Sequence, residues 1–437
     1  MLERGKFKSL GFSASYEFND SDFLICNDLI KVLLEEYPKK IPFDALKYLI
    51  GEAYYGGRVT DDWDRKILNV YMDSFFSKGA VEEENFKLSL LEEYSVPNDS
   101  TFSSHVSYIQ QLPSFDNPCL FGQHPNAELS SQILEANILL QSLAMLQPDH
   151  ECLNSTIPEE TSIPEELSFT TFDGLPDIIS SDEVNLYLQR SLDADAIKTV
   201  LVHEVENYNM ILSIVHETTQ NLKEAMKGQI LMTPELERTI AFLLQNRVPL
   251  EWLQIYHSSK PFDSWKRDIC RRIEHFTSWI KVGAPKVFWL PGFTNPIGFL
   301  TAVLQTFARS KHVPIDSLSW HYVVKEDTEE TSAGPEEGVY VTGLFLEGAK
   351  WDSVSNSLTE PESMELYSSM PLIHFKPIES RRKCQTDAYH CPVYMSPVRS
   401  GTPQRPSFII AVDLDSGDKA TDHWTKRGVS LLLSTAE

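Results

Sequence analysis

One glycine-containing segment of the 437-residue chain has the spacing of a phosphate-binding loop. In Gly51-Glu-Ala-Tyr-Tyr-Gly56-Gly57-Arg58, the outer glycines stand where such a loop requires them. However, Gly57 occupies the position of the lysine that contacts the β- and γ-phosphates, and Arg58 that of the Ser or Thr that binds Mg²⁺. The segment also follows an expected helix rather than a buried strand. We therefore interpret it as a turn between helices, without a nucleotide site.

Three carboxylates follow this segment, at Asp61, Asp62 and Asp64. Clustered carboxylates can bind a metal ion or serve as acid and base. These three fall in the first turn of an expected helix, where carboxylates cap free amides and meet the positive end of the helix dipole. Arg58 and Arg65 are close partners in sequence. Helix capping with local ion pairing is therefore the favoured interpretation.

Four residues of metal-ligand types occur near the C-terminus, at His374, Cys384, His390 and Cys391. Their spacing lacks the short Cys-x-x-Cys pair that is typical of zinc sites, and Cys391 falls within a strand pattern. Buried thiols and surface histidines are therefore expected instead of a metal site.

Patterns of other enzymes are also missing from the sequence. His203 and Glu204 have no second histidine at the spacing of a metalloprotease helix, and no Gly-x-Ser-x-Gly elbow occurs. We therefore predict no catalytic residue, no cofactor-binding residue, no metal ligand and no cofactor in this chain.

The net charge restricts the partners of the protein. With 38 Lys and Arg against 63 Asp and Glu, the formal charge is −25, and residues 88–189 contain sixteen acids but no Lys or Arg. Such a chain repels polyanions, which argues against direct binding of nucleic acid or anionic membrane. The first residues are charged, and no apolar run approaches the roughly 20 residues of a membrane span. Six dilute cysteines agree with a reduced, soluble, intracellular protein.

The spacing of apolar residues, which predicts the helices and strands that position these residues, changes along the chain. Apolar residues recur at helical spacing through the first 80 residues and again, after a loop-rich stretch, from about Ser130. Further helices are expected over 192–228, from Thr233, over 262–281 and over 296–310. After about Ser317 the period becomes two, and six short strands predict an antiparallel sheet or small barrel. These strands are expected at 319–324, 339–346, 372–375, 391–394, 408–414 and 429–433.

Several strings in this order closely resemble the end of dynein heavy chains. They are Tyr48-Leu-Ile-Gly-Glu-Ala-Tyr-Tyr-Gly-Gly-Arg-Val-Thr-Asp-Asp-Trp-Asp-Arg65, Phe121-Gly-Gln-His-Pro-Asn-Ala-Glu128, Phe288-Trp-Leu-Pro-Gly-Phe293, Val339-Tyr-Val-Thr-Gly-Leu-Phe-Leu-Glu-Gly-Ala-Lys-Trp-Asp352, Cys391-Pro-Val-Tyr394 and His423-Trp-Thr-Lys-Arg-Gly-Val429. The resemblance covers almost the whole chain, and the strand-rich C-terminal half is similar to the axonemal type. It implies an α+β fold in which the helical lid of the sixth AAA+ module precedes a helical region and then an antiparallel sheet or barrel.

The resemblance also implies a division into domains. The lid is expected over 1–95 and the dynein C-terminal domain over 96–437. Within the latter we expect a loop and helix at 96–148, an acidic linker at 149–190, a helical part at 191–316 and a β part at 317–437. The linker is the departure from the family, because it contains prolines and acids but no Lys or Arg before Arg190.

By resemblance, the parent protein is a minus-end-directed, ATP-driven microtubule motor of cilia. ATP and Mg²⁺ bind in its upstream modules, and microtubules contact a stalk that is also upstream. This portion is expected to be structural or regulatory and noncatalytic. Its expected partners are the upstream ring modules and the dynein intermediate and light chains, and its expected locations are the cytoplasm, the ciliary axoneme and the cytoskeleton.

Two alternatives stay open at this point. Met1 falls inside a module, so the chain is expected to be a short isoform, an incomplete gene model or a fragment. A short isoform would act independently and bind dynein or another axonemal protein as an interaction module. An unrecognised enzyme in residues 320–437 is the remaining possibility, which metal analysis and a panel of hydrolase substrates would test.

Overall fold

The structure is a computed structural model that describes residues 16, 18–89, 91, 93–97, 101–145, 174–189, 196–256, 258, 260–325, 334–379, 388–397 and 407–435. Its helices are α1 (Asp20–Glu36), α2 (Phe43–Lys47), α3 (Asp62–Phe75), α4 (Lys78–Glu82), α5 (Phe102–Gln111), α6 (Asn126–Met145), α7 (Ser181–Gln189), α8 (Ala196–Met226), α9 (Pro234–Leu244), α10 (Leu250–Ile255), α11 (Phe262–Val282), α12 (Pro296–Lys311) and α13 (Thr421–Arg427). A π-helical segment, Tyr48–Tyr55, continues α2. Within the described ranges, no helix is both long and apolar enough to cross a bilayer.

The strands form open sheets. They are β1 (Val287–Trp289), β2 (Leu318–Lys325), β3 (Val339–Thr342), β4 (Phe345–Glu347), β5 (Lys350–Asp352), β6 (Ser357–Thr359), β7 (Tyr367–Ser369), β8 (Leu372–Glu379), β9 (Ala388–Tyr394), β10 (Phe408–Asp415) and β11 (Ser430–Leu432). The predicted α+β class is confirmed, and of the two predicted arrangements of the strands the sheet is the one observed.

The chain divides into two compact units. Unit 1 comprises Met1–Ser142, Leu344–Met370 and Cys384–Leu433, and unit 2 comprises Leu143–Gly343, Pro371–Lys383 and Ser434–Glu437. Unit 1 therefore combines the N-terminal helices with strands from the far end of the sequence. Unit 2 contains the long central helices and the remaining strands.

The N-terminal helices of unit 1 begin at capping side chains. The Asn19 side chain accepts a hydrogen bond from the Asp22 amide at 3.0 Å, and the Asp22 carboxylate accepts one from the Asn19 amide at 3.0 Å. This reciprocal pair is a capping box, and it begins α1 at Asp20. The inner face of α1 buries Cys26 against Leu46 and Ile50.

The five-stranded sheet of unit 1 has the strand order β10-β9-β11-β4-β7, and β5 pairs with β6 as a separate hairpin. Most neighbours are antiparallel, but β11 runs parallel to β9, with Leu431 opposite Val393. Both of these side chains are fully buried, as is Val412 of β10. The sheet therefore has an apolar face within the core of unit 1.

Unit 2 is built on a four-stranded sheet with the order β1-β3-β8-β2. Only β1 and β3 in it are parallel, and Phe288 of β1 lies opposite Val341 of β3. The Phe288 ring packs at 4.9 Å from Phe299 of α12 and 5.3 Å from Trp279 of α11, measured between ring centroids. These buried aromatic rings supply much of the apolar surface that holds the helices on the sheet.

The structure differs from the expected acidic linker in the part that it describes. Ser181–Gln189 is a helix, although a linker is expected over 149–190, while 146–173 and 190–195 lie outside the described residues. Ile179 and Val184 are buried, and the Ile179 amide and carbonyl bond with the Asn209 side chain at 2.9 and 2.8 Å. The many acidic residues of this segment led to the prediction of a linker, although some of its apolar residues are buried.

The predicted strand at 339–346 is two strands in two different sheets. β3 ends at Thr342 and β4 begins at Phe345, with Gly343 at φ +88° between them. A Cβ atom on Gly343 would lie 2.5 Å from Cδ1 of Trp289, so only glycine fits there. The glycine therefore divides a continuous apolar run that sequence alone reads as one strand.

Glu204 gives a test of unit 2. This carboxylate is 2% exposed and accepts hydrogen bonds from the Thr294 amide at 2.7 Å and the Asn295 amide at 2.9 Å, just before α12. Glu204→Ala leaves both amides without this acceptor and should lower the free energy of unfolding of unit 2 by roughly 2–4 kcal/mol. Hydrogen exchange of α8 and α12 measures the change. Glu206→Ala, at a residue whose side chain is 68% exposed, is the control and should be nearly neutral.

Candidate functional site

The structure places the loop-like glycines inside a helical turn. Gly51 lies in the π-helical segment, and a Cβ atom on Gly56 would lie 2.3 Å from the Gly51 carbonyl oxygen. Gly57 approaches the Ala53 carbonyl oxygen in the same way, at 2.7 Å. Close backbone packing therefore accounts for these glycines without a phosphate.

The aspartates that follow have structural partners. Asp61 caps α3, because its Oδ1 accepts hydrogen bonds from the Trp63 amide at 2.9 Å and the Asp64 amide at 3.1 Å. Asp64 is fully buried and accepts a hydrogen bond from the Tyr16 hydroxyl at 2.8 Å. Burial, with the Asp64 charge next in importance, raises the pKa of Tyr16, so this hydroxyl stays protonated. Arg58, which was expected to pair with the aspartates, forms an ion pair with Asp22 at 2.8 Å.

The histidine and cysteine candidates are distributed between the units. His374 of unit 2 hydrogen-bonds the Glu337 carbonyl oxygen at 2.8 Å. In unit 1, His390 pairs with Asp413 at 2.5 Å, and the neighbouring Cys391 is fully buried. Cys384 lies outside the described residues. No group of three or more His, Cys, Asp or Glu side chains in the described parts of the protein is arranged to hold a metal ion.

A contact region in unit 1 is the candidate functional site. We call it the junction, and define it as the contacts of α3 and residues 117–127 with residues 360–365, β9, β10 and α13. Its first part is aromatic: the ring of Trp63 lies 5.4 Å from His390 and 6.4 Å from Phe408. The Lys66 ammonium lies 5.7 Å above the ring of the buried Tyr389. These contacts pack the N-terminal helix α3 against C-terminal strands.

Residues 117–122 are bonded to the N-terminal helices on one side. The Tyr71 hydroxyl donates a short hydrogen bond to the Phe121 carbonyl oxygen. The Ser89 hydroxyl donates to the Cys119 carbonyl oxygen at 3.0 Å. This segment therefore has main-chain acceptors that are satisfied by N-terminal side chains.

On the other side, α13 contacts the same segment. Nη1 of Arg427 donates to the Gly122 carbonyl oxygen at 3.3 Å, and the Lys426 ammonium donates to the Ser74 hydroxyl of α3 at 2.7 Å. Gly122 has φ +74°, and a Cβ atom there would lie 3.0 Å from Cβ of Lys426. A glycine is thus required at position 122, both because φ is positive and because α13 lies close to it.

A shared carboxylate fixes the orientation of α13. Oε1 of Glu360 lies 2.6 Å from Nε2 of His423 and 3.0 Å from Nη2 of Arg427. Burial opposes ionisation of Glu360, but the hydrogen bond with His423 and the charge of Arg427 outweigh it and lower the pKa to about 2. The carboxylate therefore stays charged and holds both basic side chains.

The chemistry of the junction favours binding over catalysis. Burial is the main cause that raises the pKa of the Cys119 thiol, which keeps it protonated and weakly nucleophilic. Burial, followed by the charge of Arg427, lowers the pKa of His124, which keeps this ring neutral. The arrangement satisfies main-chain and charged groups between distant parts of the sequence.

Sequence reasoning missed these residues as a site. Arg427 and Glu360 form no recognisable sequence pattern, since Arg427 meets Glu360 and Gly122 only in the folded protein. A signal was nevertheless present, because the strings Phe121–Glu128 and His423–Val429 were both recognised as motifs. In the structure these two motifs contact each other.

The fold and the junction together define a class of protein: a helical lid joined to C-terminal sheets. Residues 1–127 match the family model of the dynein heavy chain AAA lid domain, and residues 133–433 match that of the C-terminal domain of dynein heavy chains. The protein therefore belongs to the dynein heavy chain family.

Similar relatives are axonemal and flagellar. The chain is 43% identical to the Dynein-1-beta heavy chain, flagellar inner arm I1 complex, of Chlamydomonas reinhardtii, over 100% of this chain and 10% of the relative. It is 42% identical to Dynein axonemal heavy chain 2 of Mus musculus and 37% identical to Dynein axonemal heavy chain 1 of Homo sapiens, over 99% of this chain and 10% of the relative in both cases. The chain spans about a tenth of the length of these relatives.

Gly122→Ala tests the close approach at the junction. The added methyl group must adopt φ +74° and displace α13, since Cβ of Lys426 is near its own backbone. We expect a loss of free energy of unfolding that exceeds the loss for Gly228→Ala by about 1–3 kcal/mol. Gly228 is a matched control, because its φ is +70° but no atom lies within 4 Å of the position that an added Cβ would take. Urea unfolding of both variants makes the comparison, and equal losses would refute the close contact.

Glu360 predicts how the stability of unit 1 depends on pH. Its pKa is about 2 in the folded protein, below the ordinary 4.5, so its contribution is fully present above about pH 4.5 and is lost as the pH falls toward 2. Glu360→Gln should therefore flatten the acid limb of a stability profile measured by hydrogen exchange of unit 1. Glu84→Gln, at an exposed position, is the control and should leave that limb unchanged.

Proposed function

We propose that this chain is a noncatalytic, structural and regulatory part of a ciliary dynein heavy chain. The observation that carries the proposal is the junction, in which lid helices and C-terminal strands pack in one compact unit. In this role the junction transmits a displacement of the lid to the sheet of unit 1. Buried, hydrogen-bonded contacts suit such transmission because they do not deform continuously under load.

The parent activity follows from the family and from the names of the relatives. In this proposal the longer protein is an ATP-driven, minus-end-directed microtubule motor, and ATP with Mg²⁺ acts in its upstream modules. The chain itself binds no cofactor. The names of the relatives refer to axonemes and flagella, which supports a location in the ciliary axoneme and its cytoskeleton. The cytoplasm is a further location in this proposal.

The partners in this proposal are other parts of the dynein complex. They are the upstream AAA+ ring modules and, in the assembled complex, the intermediate and light chains. The formal charge of −25 disfavours direct contact with nucleic acid, anionic membrane or the acidic surface of a microtubule. In this proposal, as the family resemblance implies, microtubules contact the parent protein through its upstream stalk.

Hydrogen exchange of the full 437-residue chain tests the mechanical role. If lid and strands form one cooperative unit, amides of α3, β9 and β10 should share one opening free energy under mild denaturant. Trp63→Ala removes the aromatic contact with His390 and Phe408 and should separate the opening of α3 from that of the strands. Tyr48→Ala removes an aromatic side chain that is 65% exposed and should leave them together.

Two results would contradict the proposal. Different opening free energies for α3 and β9 in the unmodified chain would show that the junction does not couple them. Sustained ATP hydrolysis by the purified protein, at a rate comparable with that of a motor, would show that the chain is catalytic.

A further inference from the structure

Asn126 connects the end of the lid match to a distant turn. It is the first residue of α6, its exposure is 5%, and it lies in unit 1. Its Nδ2 donates to the carbonyl oxygens of Glu362 at 2.8 Å and Glu365 at 2.9 Å, and its Oδ1 accepts from the Met364 amide at 2.9 Å. One side chain thus makes three hydrogen bonds to the main chain of the β6–β7 connection.

These three bonds are made to main-chain atoms of the connection, so they depend on its backbone conformation and not on its side chains. Met364 has φ +70°, an uncommon conformation for a residue other than glycine, while its side chain is 74% exposed. Lys350 holds the same connection from β5 through ion pairs with Glu362 at 2.5 Å and Glu365 at 3.7 Å. The strained backbone at Met364 is therefore held by Asn126 on one side and by Lys350 on the other. Among uncharged side chains, only an amide supplies two donors and an acceptor together.

Because Asn126 lies at the start of α6, these bonds affect the direction of that helix. The residue begins α6, and the adjacent Ala127 is fully buried against Phe121. Further along α6, Ile138, Leu139 and Leu140 are more than half exposed, so the described contacts of this helix are concentrated at its start. The hydrogen bonds of Asn126 with the β6–β7 connection therefore set the direction of α6.

We propose that Asn126 is a positioning residue that fixes the start of α6 to the β6–β7 connection, so that α6 keeps one orientation relative to the strands of unit 1. The inference rests on the proposed function, in which the lid and the strands of unit 1 transmit a displacement.

Distance measurements on the full chain test the direction of α6. Spin labels are placed through a ketone-bearing unnatural amino acid at Leu139 of α6 and at Val354 of the β5–β6 hairpin, which are 60% and 92% exposed. This chemistry leaves the native cysteines unlabelled. Electron–electron resonance should give a narrow distance distribution in the unmodified chain and a broad one in Asn126→Ala.

Hydrogen exchange measures the bonds themselves. Loss of the acceptor in Asn126→Ala should accelerate exchange of the Met364 amide roughly tenfold, which corresponds to the loss of about 1.4 kcal/mol of hydrogen-bond free energy. Asn126→Ser is the second variant, because serine favours a helix start but cannot reach both carbonyl oxygens. It keeps the test valid if the alanine variant does not fold, and it should also broaden the distance distribution.

Asn209→Ala is the matched control. Asn209 makes a comparable pair of hydrogen bonds with the backbone of Ile179 in unit 2, at 2.9 and 2.8 Å. Its loss should leave both the distance distribution and the Met364 exchange rate unchanged. This separates the loss of the contact that holds α6 from the general loss of an asparagine side chain that hydrogen-bonds the backbone.

The outcomes separate this inference from the proposed function. A narrow distribution and slow Met364 exchange in both Asn126 variants would overturn the positioning role, even if α3 and β9 still open together. Separate opening of α3 and β9 in the unmodified chain would instead contradict the proposed function. Broad distributions confined to the Asn126 variants support the inference.

Discussion

The carbonyl oxygens of two consecutive residues, Phe121 and Gly122, are bonded by opposite parts of unit 1. Tyr71 of α3 donates to the first, and Arg427 of α13 donates to the second. Because carbonyl groups that are partly removed from water need hydrogen-bond donors, both helices must be correctly oriented for these two hydrogen bonds to form. The N-terminal helix α3 and the C-terminal helix α13 thus share one constraint, although about 350 residues separate them in sequence.

The charged groups at the junction serve orientation more than stability. Arg427 is 7% exposed, so its charge is costly unless it is paired. Glu360 supplies that pair and also binds His423, which fixes two successive turns of α13 on one carboxylate. A buried pair of this kind contributes little net free energy when compared with apolar packing, but it penalises other orientations of the helix strongly. This is the property that a mechanical connection requires.

The sequence predicts long periodic elements well and contacts between distant residues poorly. The stripes of α8, α11 and α12 were predicted within a few residues, because their apolar positions repeat over several turns. The three-residue strands β5, β6 and β7 were missed, since three residues cannot establish a period of two. Asn126, Glu360 and Arg427 could not be predicted as partners, because no local pattern records a contact across more than 60 residues.

The boundary between the two family matches is not the boundary between the compact units. The lid match ends at residue 127 and the C-terminal match begins at residue 133, whereas unit 1 takes Leu344–Met370 and Cys384–Leu433 from the second match. If the lid lost these strands, the ring of Trp63 would lose its contacts with His390 and Phe408, and the carbonyl of Gly122 would lose Arg427. Burial of apolar and polar groups would then be incomplete in the helices that remain. The stable lid of this protein therefore includes strands that follow it by more than 200 residues, and a movement of the lid cannot leave those strands in place without breaking the junction.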